Sequence, residues 1–307
     1  MKIITAGEKF TDIDAFASAI AYSDLLGVKG EQSLVVLLGV LNSSIPDILE
    51  AERMAYSSDY QPQPEDRFVV LDVSDPEHIA RLVDPAKIDL IVDHHPGYEN
   101  YWQERSVPSQ IETVGAVCTQ VFEYWEKAGV LDKMRPEVAR LLASGILDNT
   151  LNFTAEVTCV RDHEAYSKLL SVAGLDESWA ASYFKACQET VDQDVAKALK
   201  DDTKYMNLAG IENLLEIGQL VVWDGQRVLP ELLRIKQGAR GDYPWLVNLV
   251  SIVENQSYII CEDEELRSSI GKILSIAEQD GSVMPAGRLW LRKEIIKQAI
   301  VKNQVAV

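Results

Sequence analysis

Three clusters of carboxylate and imidazole side chains follow predicted strands and are the residues best suited to chemistry. Asp12 and Asp14 stand at the start of a predicted helix, Asp72 ends a later strand, and Asp93-His94-His95 ends the strand after it. Such groups, converging at one edge of a sheet, favour a site for Mn²⁺ or Mg²⁺, as one ion or two. Two ions polarise phosphoryl oxygens and lower the pKa of a bridging water, so the expected chemistry is hydrolysis of a phosphate ester or anhydride.

Each cluster also has a purely structural interpretation. Asp is favoured at the start of a helix, so Asp12 and Asp14 could serve only as caps. Asp72 could be a solvated carboxylate at a strand end, and the two histidines could belong to a hydrogen-bonded loop. The adjacent histidine pair is the more informative signal, because the whole chain contains only four histidines.

The elements that must position these residues alternate between strands and helices in the first half of the chain. Apolar runs predict strands at Lys2–Ala6, Leu34–Val40, Arg67–Asp72 and Ile88–Asp93, and the intervening patterns predict helices at 14–26, 45–54, 75–82, 116–128 and 136–147. Continuous apolar strands separated by helices predict an α/β fold, with a parallel sheet covered by helices on both faces. Ligands of such sheets bind beyond the carboxyl ends of the strands, where Gly7, Asp72 and Asp93 lie.

The second half of the chain has a different pattern. A polar helical stretch covers 178–200, and we place a domain boundary within it, giving domains 1–189 and 190–307. Beyond it we predict strands at 214–223, 245–253 and 257–261, a helix at 264–276, a loop at 281–287 and a basic C-terminal segment. This pattern predicts a smaller, mixed-sheet α/β domain.

Composition limits the class of protein. The 307 residues are 47% hydrophobic and 25% charged, as in soluble globular domains, and the net charge of −19 disfavours nucleic acid as a partner but permits a small phosphorylated substrate. The longest apolar run, Leu34–Leu41, is too short to cross a membrane, and the N-terminus does not resemble a signal peptide. Four widely spaced cysteines are typical of reduced core thiols, and we expect a cytoplasmic protein.

The motifs resemble those of the DHH phosphoesterase superfamily. Residues 7–15, 70–72, 93–95, 114–116 and 145–153 are similar to its successive motifs. The second half resembles the smaller domain of family II (manganese-dependent) inorganic pyrophosphatases and of their exopolyphosphatase and prune-type relatives, at 202–205 and 217–219. The Gly-Gly-Gly-His signature of the nuclease branch is absent, since no histidine follows His163.

The resemblance implies a role for each matching residue. Asp12 and Asp14 would bind separate ions, Asp72 would bridge them, and His94 would be a further ligand. Asp93 would orient the site, and His95 would contact the phosphate or the leaving group. In the second domain, the residues expected to reach the substrate phosphates are Lys204, Arg292 and Lys293, with Arg288 as another candidate.

Three positions depart from the family pattern. Glu8 stands where the first motif usually has a metal-binding histidine, and a carboxylate there would favour Mg²⁺ or Mn²⁺. Asn149 stands where the fourth motif has a metal-binding aspartate, so either Asp148 replaces it or one ion binds weakly. Family II pyrophosphatases carry a Ser-Arg-Lys-Lys motif near the C-terminus, and this motif fits Arg292 and Lys293 only with a shift of one residue.

These residues lead to one function with two alternatives. We expect a divalent-metal hydrolase of pyrophosphate or short polyphosphate, with Asp93 and His95 in catalytic roles. The same site could serve a phosphodiesterase or nucleotide phosphatase. The departures at Glu8 and Asn149 would also fit a protein that binds a phosphate ligand without turnover. The resemblance further suggests a homodimer.

Overall fold

The computed structural model describes residues 1–237, 242–276 and 281–305, with side chains described as far as residue 302. The chain divides into two compact units, Met1–Tyr183 and Phe184–Val307. This division falls inside the helix Trp179–Gln193, which also contains the predicted boundary at 189/190. All four cysteines are free thiols. In the described part of the chain, no helix combines the length and apolar character that crossing a membrane requires.

The first unit is built on a parallel sheet. Its elements are β1 (Lys2–Thr5), β2 (Phe10–Thr11), α1 (Ile13–Val28), β3 (Ser33–Val35), β4 (Val40–Leu41), β5 (Arg67–Leu71), β6 (Ile88–Asp93), α2 (Glu99–Glu104), β7 (Ser109–Ile111), α3 (Val117–Ala128), α4 (Pro136–Asn149), α5 (Val160–Ala173) and the start of α6 (Trp179–Gln193). The strand order β3-β1-β5-β6-β7 is parallel throughout, as predicted, and β2 pairs separately with β4.

The register of the central strands sets the position of the chemistry. Leu71 of β5 lies opposite Val92 of β6, so the residues that follow them, Asp72 and Asp93, reach the same edge of the sheet. Helix α1 packs against α3 and α4 and is buried continuously over residues 13–21, which include four alanines. An apolar helix of small residues allows its neighbours to approach closely, and this brings the start of α3 beside the start of α1.

The second unit contains a mixed sheet, which confirms the predicted fold class. Its further elements are α7 (Val195–Asp201), β8 (Thr203–Asn207), β9 (Leu214–Val222), α8 (Gly225–Lys236), β10 (Trp245–Ser251), β11 (Gln256–Ile260), α9 (Glu264–Leu274), β12 (Val283–Pro285) and α10 (Arg292–Val305). The order is β12-β11-β10-β9-β8, with β9 and β10 parallel and the other pairs antiparallel.

Several local predictions were wrong. Residues 75–82 form turns rather than a helix, because this segment pairs with the chain after β1: Gly7 bridges Ile79, and the Glu8 N–H donates to the His78 carbonyl. Residues 45–54 form two 3₁₀ turns interrupted at Glu50, whose φ is 53°. The predicted loop 281–287 contains β12, and β7, α5, β8 and α8 were not predicted.

Candidate metal centre

Three side chains converge at the carboxyl edge of the first sheet and form what we call the metal group: Asp72, His94 and His95. Their candidate ligand atoms lie within 4.8 Å of one another. Asp72 Oδ1 is 3.5 Å from His94 Nε2 and 4.0 Å from His95 Nδ1. Neighbouring ligands of an octahedral ion at about 2.1 Å lie about 3 Å apart, so small side-chain adjustments would suffice. A carboxylate oxygen of Asp72 and Nε2 of His94 suit Mn²⁺, so these two donors fit the expected ion, whereas His95 Nδ1 is already bonded to Asp93.

The backbone at Asp72 turns its side chain away from the course of the strand. Its N–H still donates to the Val92 carbonyl at 2.9 Å, as a strand residue would, but its φ is +61°. This left-handed conformation is uncommon for residues other than glycine, although Asp and Asn adopt it more readily. Strained backbone of this kind is concentrated at functional sites, where the surrounding structure maintains it.

The orientation of His94 is fixed from the side opposite Asp72. Its Nδ1 lies 3.2 Å from the carbonyl oxygen of Val114. A carbonyl can only accept a hydrogen bond, so Nδ1 must carry the proton, and in the neutral ring Nε2 keeps its lone pair toward Asp72. This arrangement is the one expected of a metal-binding imidazole.

Asp93 uses one carboxylate oxygen, Oδ1, to bond both histidines of the metal group. Its Oδ1 accepts hydrogen bonds from the His94 N–H at 2.7 Å, the His95 N–H at 3.2 Å and the His95 ring at 2.8 Å. The residue is fully buried, and burial alone would raise its pKa. The charge on His95, together with hydrogen bonds from His95 and Ser74, outweighs burial and holds the pKa of Asp93 below its ordinary value.

Asp14 is fully buried beside the metal group and caps a helix other than its own. Its Oδ2 and Oδ1 accept hydrogen bonds from the N–H groups of Val117 and Cys118, both at 2.8 Å, in the first turn of α3. Oδ2 also lies 3.9 Å from His94 Nε2. Burial raises the pKa of Asp14 to about 6, against the effect of these hydrogen bonds. The positive end of the α3 dipole stabilises the ionised form.

Asp12 performs the capping role that the structural interpretation predicts. It is the N-cap of α1, and its Oδ1 accepts a hydrogen bond from the Ala15 N–H at 3.0 Å. Asp12 and Asp14 both lie outside the three-residue metal group.

Comparison with known proteins identifies this domain. A model described as "DHH family, N-terminal domain" matches residues 2–146. Residues 2–146 form a DHH family domain. The match confirms the predicted resemblance, and it includes every member of the metal group together with Asp14 and Asp93.

Relatives extend over most of the chain. The chain is 26% identical over 265 residues to the "Probable manganese-dependent inorganic pyrophosphatase" of Shouchella clausii (strain KSM-K16), covering 83% of this chain and 84% of that protein. It is 22% identical over 298 residues to a protein of the same name from Staphylococcus carnosus (strain TM300), and the match covers 94% of this chain and 95% of that protein.

A crystal structure of a Methanococcus jannaschii protein, assigned as a family II inorganic pyrophosphatase, has the same fold. The TM-score is 0.72 at 18% sequence identity, and the match covers 98% of this chain and 100% of the other. The likeness therefore extends to the mixed sheet of the second unit as well as to the DHH domain.

Glu8, a predicted ligand, is bound to an arginine in the DHH domain. Its Oε2 accepts a hydrogen bond from the Arg81 N–H at 2.7 Å, and its Oε1 accepts one from the Arg81 guanidinium at 2.6 Å. Glu8 is not part of the metal group. Arg81 lies in the segment predicted as a helix, so its approach to Glu8 could not be foreseen from the sequence.

The remaining predicted ligands lie at the end of α4. Asn149 is the last residue of that helix, and both it and Asp148 are half-buried. Asp148 Oδ1 lies 3.1 Å from the Tyr183 hydroxyl, which also donates to the Ser44 carbonyl at 2.9 Å. The structure thus shows a protein partner for Asp148, and the choice between Asp148 and Asn149 as a ligand stays a prediction.

Sequence reasoning gave no packing role to the residues that let helices meet around the site, although Gly145 lies within the matched motif 145–153. A Cβ atom on Gly145 would lie 2.4 Å from Cys118 Sγ, so only glycine permits α4 to pass this close to α3. Asp162 was also missed, although Cys159 and Asp162 have the spacing of a helix N-cap and its N3 partner.

The basic residues predicted to bind phosphate lie in the second unit in different environments. The buried Arg292 guanidinium donates to the Asp202 carboxylate at 2.6 Å and to the Asp202 carbonyl at 2.8 Å. Arg288 stacks on Trp290, with its guanidinium carbon 3.4 Å from the ring centroid. Lys204 of β8 and Lys293 of α10 are half-buried. Arg292 thus has an evident structural role, and phosphate binding by the two lysines stays a prediction.

Proposed function

We propose that this protein is a metal-dependent hydrolase that uses Mn²⁺ or Mg²⁺ to cleave a phosphoanhydride, either inorganic pyrophosphate or a short polyphosphate. The observation that carries the proposal is the metal group, an oxygen-and-nitrogen donor set at the carboxyl edge of the sheet in a DHH domain. The relatives named as manganese-dependent inorganic pyrophosphatases support this metal and substrate class.

The chain's own residues divide the work. Asp72 and His94 would hold the ion, Asp93 would keep the His95 ring in place, and the Val114 carbonyl would do the same for the His94 ring. A bound ion supplies Lewis acidity toward a phosphoryl oxygen and lowers the pKa of a coordinated water. The His95 side chain, which is 46% exposed, would contact the substrate phosphate or the leaving group while Asp93 holds its Nδ1.

The electrostatics predict an order of binding. Asp72, Asp14 and Asp12 present carboxylates near one sheet edge of a chain with net charge −19. A phosphoanhydride also carries several negative charges, and without a cation it would be repelled. We therefore expect metal to bind before the substrate, and substrate affinity to be low without the metal.

A second candidate is a protein that binds a phosphate ligand without turnover. The observation that favours it is that two residues expected to act on the ion or the substrate are bound within the protein. Glu8 accepts hydrogen bonds from Arg81, and Arg292 is bound to Asp202. Such a protein would show affinity for pyrophosphate but no release of phosphate.

The deciding experiment measures phosphate release with Mn²⁺ or Mg²⁺ from pyrophosphate, tripolyphosphate and a nucleotide diester. The proposal requires metal-dependent release from an anhydride, and loss of that release in Asp72→Asn. Asp89→Asn is the matched control, because Asp89 lies in β6 but pairs with Arg67 at 2.7 Å. Release only from the diester would favour a phosphodiesterase, and ligand binding without release would favour the second candidate.

A further inference from the structure

A buried carboxylate outside the predicted site is bonded to the segment that supports it. Asp162 lies at the third position of α5 and has no solvent exposure. Its oxygens accept hydrogen bonds from the Gly115 N–H at 3.1 Å, the Thr119 hydroxyl at 2.6 Å and the Cys159 N–H at 2.8 Å. The Cys159 contact is local to α5, but the other two reach back more than 40 residues.

The segment that Asp162 binds is the one that holds two site residues. Within 114–119, the Val114 carbonyl bonds the His94 ring, and the N–H groups of Val117 and Cys118 bond both oxygens of Asp14. Asp162 contacts this segment at Gly115 and Thr119, on both sides of the Asp14 contacts. These two hydrogen bonds tie the segment to α5 at points that flank its contacts with Asp14.

The packing at Gly115 shows how closely Asp162 approaches. A Cβ atom there would lie 2.6 Å from Asp162 Oδ2 and 2.6 Å from Thr150 Cγ2. Any larger residue would have to displace Asp162 or Thr150, which are both fully buried. The contact therefore requires glycine at 115 and leaves the carboxylate little freedom.

We propose that Asp162 is a positioning residue for the metal centre, which acts through segment 114–119 to hold His94 and Asp14 in place. The inference rests on the proposed function only in requiring that this centre binds a divalent ion. Partners that orient metal ligands are typically worth about 10- to 100-fold in metal affinity. Asp162 acts one contact further out, through the segment whose Val114 carbonyl bonds His94, so we expect an effect at the lower end of this range.

The test is Mn²⁺ binding measured by calorimetry and by electron paramagnetic resonance of the bound ion, with thermal unfolding recorded in parallel. We expect Asp162→Asn to weaken Mn²⁺ binding about 10-fold or more and to change the spectrum of the bound ion. Thr119→Val removes one of the hydrogen bonds and should weaken binding about 3-fold. It keeps the inference testable if Asp162→Asn does not fold.

Asp66→Asn is the matched control. Asp66 is also a buried carboxylate, accepting hydrogen bonds from the Tyr60 hydroxyl and the Gln63 N–H, both at 2.8 Å. It precedes β5, whereas Asp72 follows that strand, so the two lie about 20 Å apart. Asp66→Asn should lower the unfolding temperature without altering Mn²⁺ affinity.

Three results would overturn the inference. The first is that Asp162→Asn and Thr119→Val both fold and bind Mn²⁺ with wild-type affinity. The second is that Asp66→Asn loses as much Mn²⁺ affinity as Asp162→Asn, and the third is that the wild-type protein binds no Mn²⁺. Phosphate release is measured separately. Wild-type protein that binds Mn²⁺ without hydrolysing an anhydride would refute the proposed function, while the affinities would still decide the role of Asp162.

Discussion

The metal group and Glu8 follow strands of the same sheet but are held in different ways. Both histidines of the metal group are bonded to Asp93, which is fully buried. Glu8 is bonded to Arg81, whose side chain is 79% exposed. Buried hydrogen bonds to a charged group contribute about 1.5–3 kcal/mol, whereas exposed ion pairs contribute about 0–1 kcal/mol. The metal group is therefore organised before an ion arrives. Glu8 is held by its ion pair with Arg81, which exposure to solvent weakens.

The largest expected effect is that of Asp72→Ala. Because this residue links the two histidines of the metal group, its loss should lower Mn²⁺ affinity and metal-dependent phosphate release at least about 100-fold, more than the loss of an outer partner. Calorimetry and a phosphate-release assay measure the two effects, with Asp89→Ala as the control. Retention of wild-type Mn²⁺ affinity in Asp72→Ala would place the ion elsewhere.

The second expected effect concerns stability around Asp148. Tyr183→Phe removes the hydroxyl that lies between Ser44 and Asp148 in the interior of the first unit. We expect the free energy of unfolding to fall by about 1–2 kcal/mol, because the buried Ser44 carbonyl and the half-buried Asp148 carboxylate lose their shared donor. The free energy of Mn²⁺ binding should change by less than the free energy of unfolding. Urea denaturation and calorimetry test this, and a large loss of Mn²⁺ binding would show that Asp148 belongs to the centre.

The sequence predicted the parts of the site that follow directly from strand order. Asp72 and Asp93 end apolar strands, and parallel strands bring their carboxyl ends to one edge, so their convergence required no knowledge of packing. The histidines adjoining Asp93 were located by the same argument. The exact ends of these elements differed by only a few residues, because turn residues mark them.

The partners of these residues could not be predicted, because they come from distant segments. Asp14 is 103 residues from Val117 in the chain, and Glu8 is 73 residues from Arg81. Periodicity shows where a helix lies but not which neighbouring helix a carboxylate will cap. Residues 75–82 have a helical pattern, yet pairing with the chain after β1 decides their structure.

The third expected effect is a pH-dependent stabilisation by Glu112, whose N–H donates to the Asp93 carbonyl. A hydrogen bond from the Arg161 guanidinium lowers the pKa of Glu112 to about 2. A carboxyl group with a lowered pKa stabilises the fold above its unfolded-state pKa of about 4.3, and the effect is lost as the pH falls through 2.

Glu112→Gln should therefore lower the free energy of unfolding by about 1 kcal/mol at pH 7, after allowance for partial exposure. The difference from wild type should shrink as the pH is lowered from 4.5 toward 2. Urea denaturation at pH 7, 4 and 3 measures it. A difference that is constant across this range would show that the Glu112 charge has no part in the effect.

The smallest expected effect is also the most direct challenge to the contrast between the metal group and Glu8. Because the Glu8 carboxylate is bound to Arg81, Glu8→Gln should change Mn²⁺ affinity less than about 3-fold, within the range of an exposed ion pair.

Arg81→Ala is the paired variant, since it releases Glu8 while leaving its charge in place. If Glu8 leaves Arg81 to bind an ion, Arg81→Ala should strengthen Mn²⁺ binding and Glu8→Gln should weaken it more than about 10-fold. Measuring the number of Mn²⁺ ions per chain in both variants separates the two cases, because a ligand role for Glu8 would change the stoichiometry and an ion pair with Arg81 would not.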